Sequence, residues 1–141
     1  MVGYRARGLE SYLPSRRRTL PWWWMWLGAA WVNWTWFVVE ILRHRHVEAC
    51  EAACPALALR PEVRWLGLPS VVWGGLYYGV LTAVSFLAGS LRRPLLQVLT
   101  TAGLVASVWL LYLLRVRLRA HCRGCYIAHG LNLALWLTAL K

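Results

Sequence analysis

Residues 67–114 read GLPSVVWGGLYYGVLTAVSFLAGSLRRPLLQVLTTAGLVASVWLLYLL. Two apolar runs, Gly67 to Gly89 and Leu95 to Leu114, are joined at Ser90 to Pro94 through Arg92 and Arg93. Each run is close to the ~20 residues with which a helix crosses a ~30 Å hydrocarbon core, so the stretch predicts two membrane-spanning helices with a tight connection. Gly75 and Gly79 form a GxxxG pair, and Gly103 and Ser107 repeat the small-xxx-small spacing, which predicts close helix contact.

Outward on the N-terminal side, a further apolar run extends from Pro21 to about Leu42 and holds seven of the eleven tryptophans. Pro21 suits the first turn of a helix. Trp22, Trp23, Trp24 and Trp26 stand where an aromatic belt belongs. Trp31, Trp34 and Trp36 lie deeper, where they pack on other helices, on a flat cofactor or on a partner subunit. On the C-terminal side, RVRLRAHCRGC from Arg115 to Cys125 leads into a last apolar segment ending at Leu140. The resulting expectation is an all-α, integral membrane four-helix bundle over residues 21–141. It is preceded by a basic segment, residues 1–20, and interrupted by a polar, cysteine-bearing loop at 43–66.

Composition agrees. The 141 residues are 60% hydrophobic and 15% charged, with a mean hydropathy of +0.47, against about 25% charged in soluble proteins. That excess excludes a disordered chain and argues against a soluble enzyme, because a small globule cannot bury so much apolar surface. Lys and Arg number 16 against five acidic residues. In a soluble protein that balance suggests nucleic acid, but here the arginines lie between apolar runs, which suits lipid headgroups and topology signals, with no nucleic acid partner. Four spans put both termini on one side. Each side then carries eight Lys or Arg, and the five arginines before the first span favour cytoplasmic termini. The expected location is the bacterial cytoplasmic membrane, with the cysteines facing the periplasm, where disulfides persist.

All four cysteines fall on that side, as Cys50-x-x-x-Cys54 and Cys122-x-x-Cys125. A Cys-x-x-Cys at a helix start, here among Arg119, His121 and Arg123, is the arrangement that favours the reactive thiolate. Two facing pairs can pass two electrons by thiol–disulfide exchange. The same residues are also compatible with a static disulfide stapling the loop, or with a four-thiolate zinc site. Attachment of haem c is excluded, because Tyr126 stands where that motif needs histidine. His129 lies four residues after Cys125 on one helical face, so it either contacts a molecule docked at the cysteine or is a buried histidine satisfied by a neighbour. Asn132, three residues on, serves a ligand contact or a bond between helices. No serine–histidine–aspartate set, phosphate loop or paired carboxylate points to hydrolysis or nucleotide use. The spans also lack the paired ionisable residues of a transport path.

These features together resemble the vitamin K epoxide reductase family, including its bacterial disulfide-forming members. The last helix begins CRGCYIAHGLN, like the family's Cys-x-x-Cys and following His-bearing turn. The second begins LGLPSVVWGGLYYG, like its Gly-hydrophobic-Pro and Gly-x-x-Tyr pattern, and a cysteine pair lies in the first loop. The loop pair is more closely spaced than the family's usual one, and no serine or asparagine stands among residues 59–65. The resemblance implies a bundle around a quinone of the ubiquinone, menaquinone or phylloquinone type; no metal is expected, because disulfide formation in an oxidising compartment competes with zinc for the thiolates. The resemblance also implies that Cys54 exchanges with Cys122, that Cys50 meets a thioredoxin-fold thiol protein, and that Cys125 faces the quinone with His129 nearby. The alternative is an accessory subunit of a larger electron-transport or pigment complex, joined through the tryptophan-rich first helix.

Overall fold

Tryptophan spacing organises the first helix. A computed structural model describes residues 20–43, 60–87 and 89–141, and in it α1 spans Leu20–Arg43. Trp23, Leu27 and Ala30 recur at helical spacing and are buried. Trp22, Val32, Trp36 and Val39 point outward. The basic segment expected at residues 1–20 lies outside the described residues except for its last residue.

The polar loop enters the described residues at Arg60. A single 3-10 turn, Pro61–Val63, is followed by a two-stranded antiparallel hairpin, β1 (Arg64–Trp65) and β2 (Leu68–Pro69). Leu66 and Gly67, at φ 50° and 79°, turn the hairpin, the left-handed pair that a two-residue connection requires. The apolar run read from Gly67 therefore becomes helical only after Pro69, where α2 (Ser70–Phe86) begins. The indole N–H of Trp73 donates to the Trp65 carbonyl at 3.0 Å and ties the hairpin to α2.

The third helix, α3, runs Arg92–Tyr112 and continues as a π-helical turn, Leu113–Arg117. It starts three residues before the expected Leu95, because Pro94 in a first turn gives up no intrahelical hydrogen bond. The fourth, α4, spans Arg123–Ala139. Helices adjacent in sequence pack against one another and α4 closes the ring on α1, which makes an all-α four-helix bundle.

Polar side chains set the register inside it. The indole N–H groups of Trp23, Trp31 and Trp34 donate to Ser85 Oγ at 2.9 Å, Thr82 Oγ1 at 3.0 Å and the Val71 carbonyl at 2.8 Å. Rising positions on α1 meet falling positions on α2, so the two helices are antiparallel. Down the α3–α4 seam, Arg93 donates to the Lys141 carbonyl and Gln97 to the Ala139 carbonyl at 3.2 Å. The Trp136 indole donates to Thr101 Oγ1 at 3.1 Å, and Asn132 Nδ2 to Ser107 Oγ at 2.8 Å. Asn132 Oδ1 also accepts from the Tyr78 hydroxyl at 3.1 Å, so this residue joins three helices. Of its two expected roles, the structure shows the bond between helices. Asn132→Leu is expected to cost about 1–2 kcal/mol of stability by stranding two polar groups among apolar ones. A denaturant titration of the purified protein checks it.

The glycines act singly. A Cβ at Gly75 would lie 2.6 Å from Cζ2 of Trp34, whereas Gly79 has nothing within 4 Å, so only the first residue of the GxxxG pair makes a close approach. In α3 the expectation holds better. Gly103 receives the Tyr77 ring, and Ser107 is buried.

Large apolar side chains cover the outside of all four helices, including Val72, Leu76 and Val80 on α2, Val98, Val105 and Val108 on α3, and Ile127, Leu133 and Leu137 on α4. Among the described residues the continuous segment Arg92–Arg117 is long and apolar enough to cross a membrane, with a mean hydropathy of 1.7 over its most apolar window. The apolar α2 has 17 residues. In α1 the tryptophans, whose indole N–H makes them amphipathic, lower the hydropathy of an otherwise long enough helix.

Candidate functional site

The chain turns from α3 into α4 around Cys122. The π-helical turn is closed by the Leu118 amide donating to the Leu113 carbonyl at 2.9 Å, and the Ala120 amide donates to Leu114 at 3.1 Å. Arg119 then takes a left-handed conformation at φ 46°. Cys122 follows as the extended N-cap of α4, fully buried beside Leu114, with Phe37, Leu118, Ala120, Cys125 and Tyr126 around it. Its sulfur accepts a hydrogen bond from the Cys125 amide at 3.3 Å. A cysteine thus does the work usually given to serine or aspartate at this position.

Gly124 is what lets the motif press against α1. A Cβ there would lie 3.2 Å from Cδ2 of Phe37. The helix-start reading of Cys-x-x-Cys is therefore how the chain folds, and the glycine inside the motif serves its packing.

The two cysteines differ in state. Cys122 is disulfide-bonded, and its partner lies outside the described residues. Cys125 carries a free thiol with its Sγ 2.6 Å from Cys122 Sγ. This is the arrangement of a thiol in contact with a disulfide with which it can exchange. Among the described residues no three metal-ligating side chains gather, and the four-thiolate alternative also needs the loop cysteines. Cys50 and Cys54 lie outside the described residues.

One helical turn beyond Cys125 is His129. Its Nδ1 is buried and has no hydrogen-bond partner. Of its two expected roles, a histidine satisfied by a neighbour is not what this atom shows. Buried polar atoms are almost always paired, so this one, a turn from the free Cys125 thiol, is open to a ligand's polar atom. A quinone carbonyl is of that kind, an oxygen on an apolar ring, and the residues present fit it.

Tyr77 was not singled out in the sequence. Its hydroxyl is the second buried polar atom without a partner among the described residues. The Tyr77 ring stands 5.3 Å from that of Tyr78, and it fills the notch at Gly103, where a Cβ would come within 2.5 Å of its Cζ. Gly103 is one turn before Ser107 on α3, away from the cysteine end, and His129 one turn before Asn132 on α4, towards it, with Ser107 and Asn132 bonded. The two unpaired groups thus sit on opposite sides of the Asn132 bridge, His129 towards the cysteines. The tyrosine that follows a Gly-x-x spacing was the available signal for Tyr77.

On the outer side of the motif the Arg115 guanidinium lies 5.2 Å from the centre of the Tyr126 ring. Nδ1 of His121 is 3.4 Å from the Tyr126 hydroxyl. Arg115, Arg117, Arg119 and Arg123 are all exposed at this end.

Comparison with known proteins bears on this arrangement. No curated protein matches the chain. The family model described as the vitamin K epoxide reductase family matches residues 26–140, which takes in α2, α3, α4, all but the first six residues of α1 and the whole Cys-x-x-Cys motif. Its members are membrane-associated redox enzymes working between thiols and quinones. With a helix-capping Cys-x-x-Cys at one end of a four-helix bundle and a match over most of its length, the chain belongs to the vitamin K epoxide reductase family.

Proposed function

We propose that this protein is a membrane thiol:quinone oxidoreductase that draws two electrons from a thioredoxin-fold thiol protein. The observation that carries the reading is the free Cys125 thiol in contact with the disulfide-bonded Cys122, one turn from the unpaired His129. The apolar exterior of all four helices supports a bundle immersed in lipid. The five arginines before α1 support cytoplasmic termini and cysteines on the opposite, periplasmic face.

The relay balances in electrons. The carrier's dithiol reduces the Cys50–Cys54 disulfide and becomes a disulfide itself. The Cys54 thiolate then attacks Cys122 Sγ of a Cys122–Cys125 disulfide, the bond to Cys125 breaks, and Cys125 leaves as a thiolate. A free Cys125 beside a bonded Cys122 is the state expected at this point. Cys50 next attacks Cys54 and releases Cys122, which returns the loop pair to its disulfide. Cys122 and Cys125 finally re-form their own disulfide, giving up two electrons and two protons. A bound quinone supplies the two-electron, two-proton acceptor.

His129 orients the acceptor by donating to its carbonyl. His129→Leu is expected to raise the quinone KM roughly tenfold, the upper range for losing one hydrogen bond to a neutral acceptor, with a smaller change in kcat. His129→Gln, which keeps a donor, recovers part of the loss. The test of function is quinone reduction, followed by absorbance, by purified protein supplied with a reduced thioredoxin-fold carrier. Carrier-dependent turnover supports the proposal. Absence of turnover with every quinone class, from protein that co-purifies with a larger complex, favours an accessory subunit.

A further inference from the structure

Along α3 runs an outward stripe used neither by the bundle nor by the redox site. Val105, Val108, Trp109, Tyr112 and Val116 are each more than half exposed. At the end of the stripe Trp109, Tyr112, Leu113 and Arg117 line an open groove of about 460 Å³. The Trp109 and Tyr112 rings stack with centroids 5.9 Å apart and planes 28° from parallel, which makes a flat apolar wall. The π-helical turn completes the groove, because five residues per hydrogen-bonded step bring Arg117 under Tyr112.

Depth and charge define the occupant. The segment Arg92–Arg117 has 26 residues. At 1.5 Å per residue it measures about 39 Å, enough to put its terminal arginines among the headgroups with Trp109 and Tyr112 just inside. After Glu62 the chain contains no Asp or Glu, so α2, α3 and α4 carry no acidic side chain to compete for Arg117. We infer that the groove holds one anionic phospholipid, its phosphate on the Arg117 guanidinium and an acyl chain along Trp109, Val108 and Val105. The inference rests on the membrane-spanning reading above.

Native mass spectrometry of the full chain released from detergent, titrated with dioleoyl phosphatidylglycerol or dioleoyl phosphatidylcholine, tests it. One phosphatidylglycerol is expected to be retained with about fivefold preference, the scale of one arginine near an anionic headgroup. Arg117→Gln removes the preference, Trp109→Ala weakens both lipids, and Arg92→Gln at the other end of the helix leaves binding unchanged. Equal retention of the two lipids, or a preference that survives Arg117→Gln, overturns the inference. So does a preference abolished by inorganic phosphate, which marks a free-anion site. An Arg117→Gln protein that keeps its lipid but oxidises the carrier slowly marks a protein-docking surface instead. Flotation with vesicles separates the two readings. A protein that floats with phosphatidylcholine vesicles yet shows no preference defeats the lipid site alone, and one that floats with no vesicle defeats the membrane reading as well.

Discussion

Cys125→Ser is expected to lower quinone-coupled thiol oxidation by about three orders of magnitude or more, the scale of losing an essential nucleophile. The cause is specific. Cys125 is the thiol left free in the described state, 2.6 Å from the sulfur it must rejoin, and a serine oxygen there cannot close a disulfide. Without it no Cys122–Cys125 disulfide can form, so the reduced loop pair has no disulfide to exchange with and the relay stops once the carrier has reduced Cys50–Cys54. The fold is expected to survive, since Cys125 takes no part in the disulfide and its amide still donates to the capping sulfur of Cys122. The measurement pairs steady-state quinone reduction with a thermal unfolding midpoint. Lost turnover at a wild-type midpoint is the expected pair of values, and turnover retained within tenfold contradicts the relay.

The second large effect is structural and lies far from the cysteines. Gly75→Ala is expected to destabilise the bundle by about 1–3 kcal/mol, the usual cost of overpacking. The new methyl would stand 2.6 Å from Cζ2 and 2.9 Å from Cε2 of Trp34. That indole cannot yield easily. Its N–H is bonded to the Val71 carbonyl at 2.8 Å, and Trp31 meets it edge-on with centroids 5.4 Å apart. The neighbours are the controls. At Gly74 the closest approach is an ordinary 3.6 Å, and at Gly79 nothing lies within 4 Å, so alanine at either is expected to be neutral or slightly stabilising. Three single variants in one denaturant series check the claim, and equal losses at Gly75 and Gly79 would restore a symmetrical GxxxG contact.

Much of this fold was legible because its signals are long. Four apolar runs with basic connections specified four helices, and the Cys-x-x-Cys placed the start of α4 to within a residue of Arg123. What the sequence did not reveal were short-range backbone events. Gly67–Pro69 reads as apolar, but it forms a hairpin because Leu66 and Gly67 take positive φ. Leu113–Arg117 reads as the end of a helix, and its widening into a π turn follows from how the chain must reverse into Cys122. Hydropathy carries no information on either.

The site shows the same division. Spacing alone put Cys125, His129 and Asn132 on one face, but only packing separated their roles, with Asn132 bonded to Tyr78 and Ser107 and His129 left unpaired. Tyr77 escaped notice because a tyrosine in an apolar helix looks like any other core aromatic until its hydroxyl is found without a partner. The tryptophans of α1 divided as well. Trp23, Trp31 and Trp34 turn inward and spend their indole donors on α2, which leaves Trp22 and Trp36 as the exposed indoles of that helix.

The most direct measurement is a count of thiols against quinone. The protein is fully reduced, freed of reductant under anaerobic conditions in detergent, and its thiols are alkylated before and after an oxidised quinone is added. The relay predicts that two of the four cysteines become protected for the first quinone reduced, that peptide mapping finds them to be Cys122 and Cys125, and that Cys125→Ser abolishes the change. Four thiols that stay reactive whatever the quinone present would contradict it.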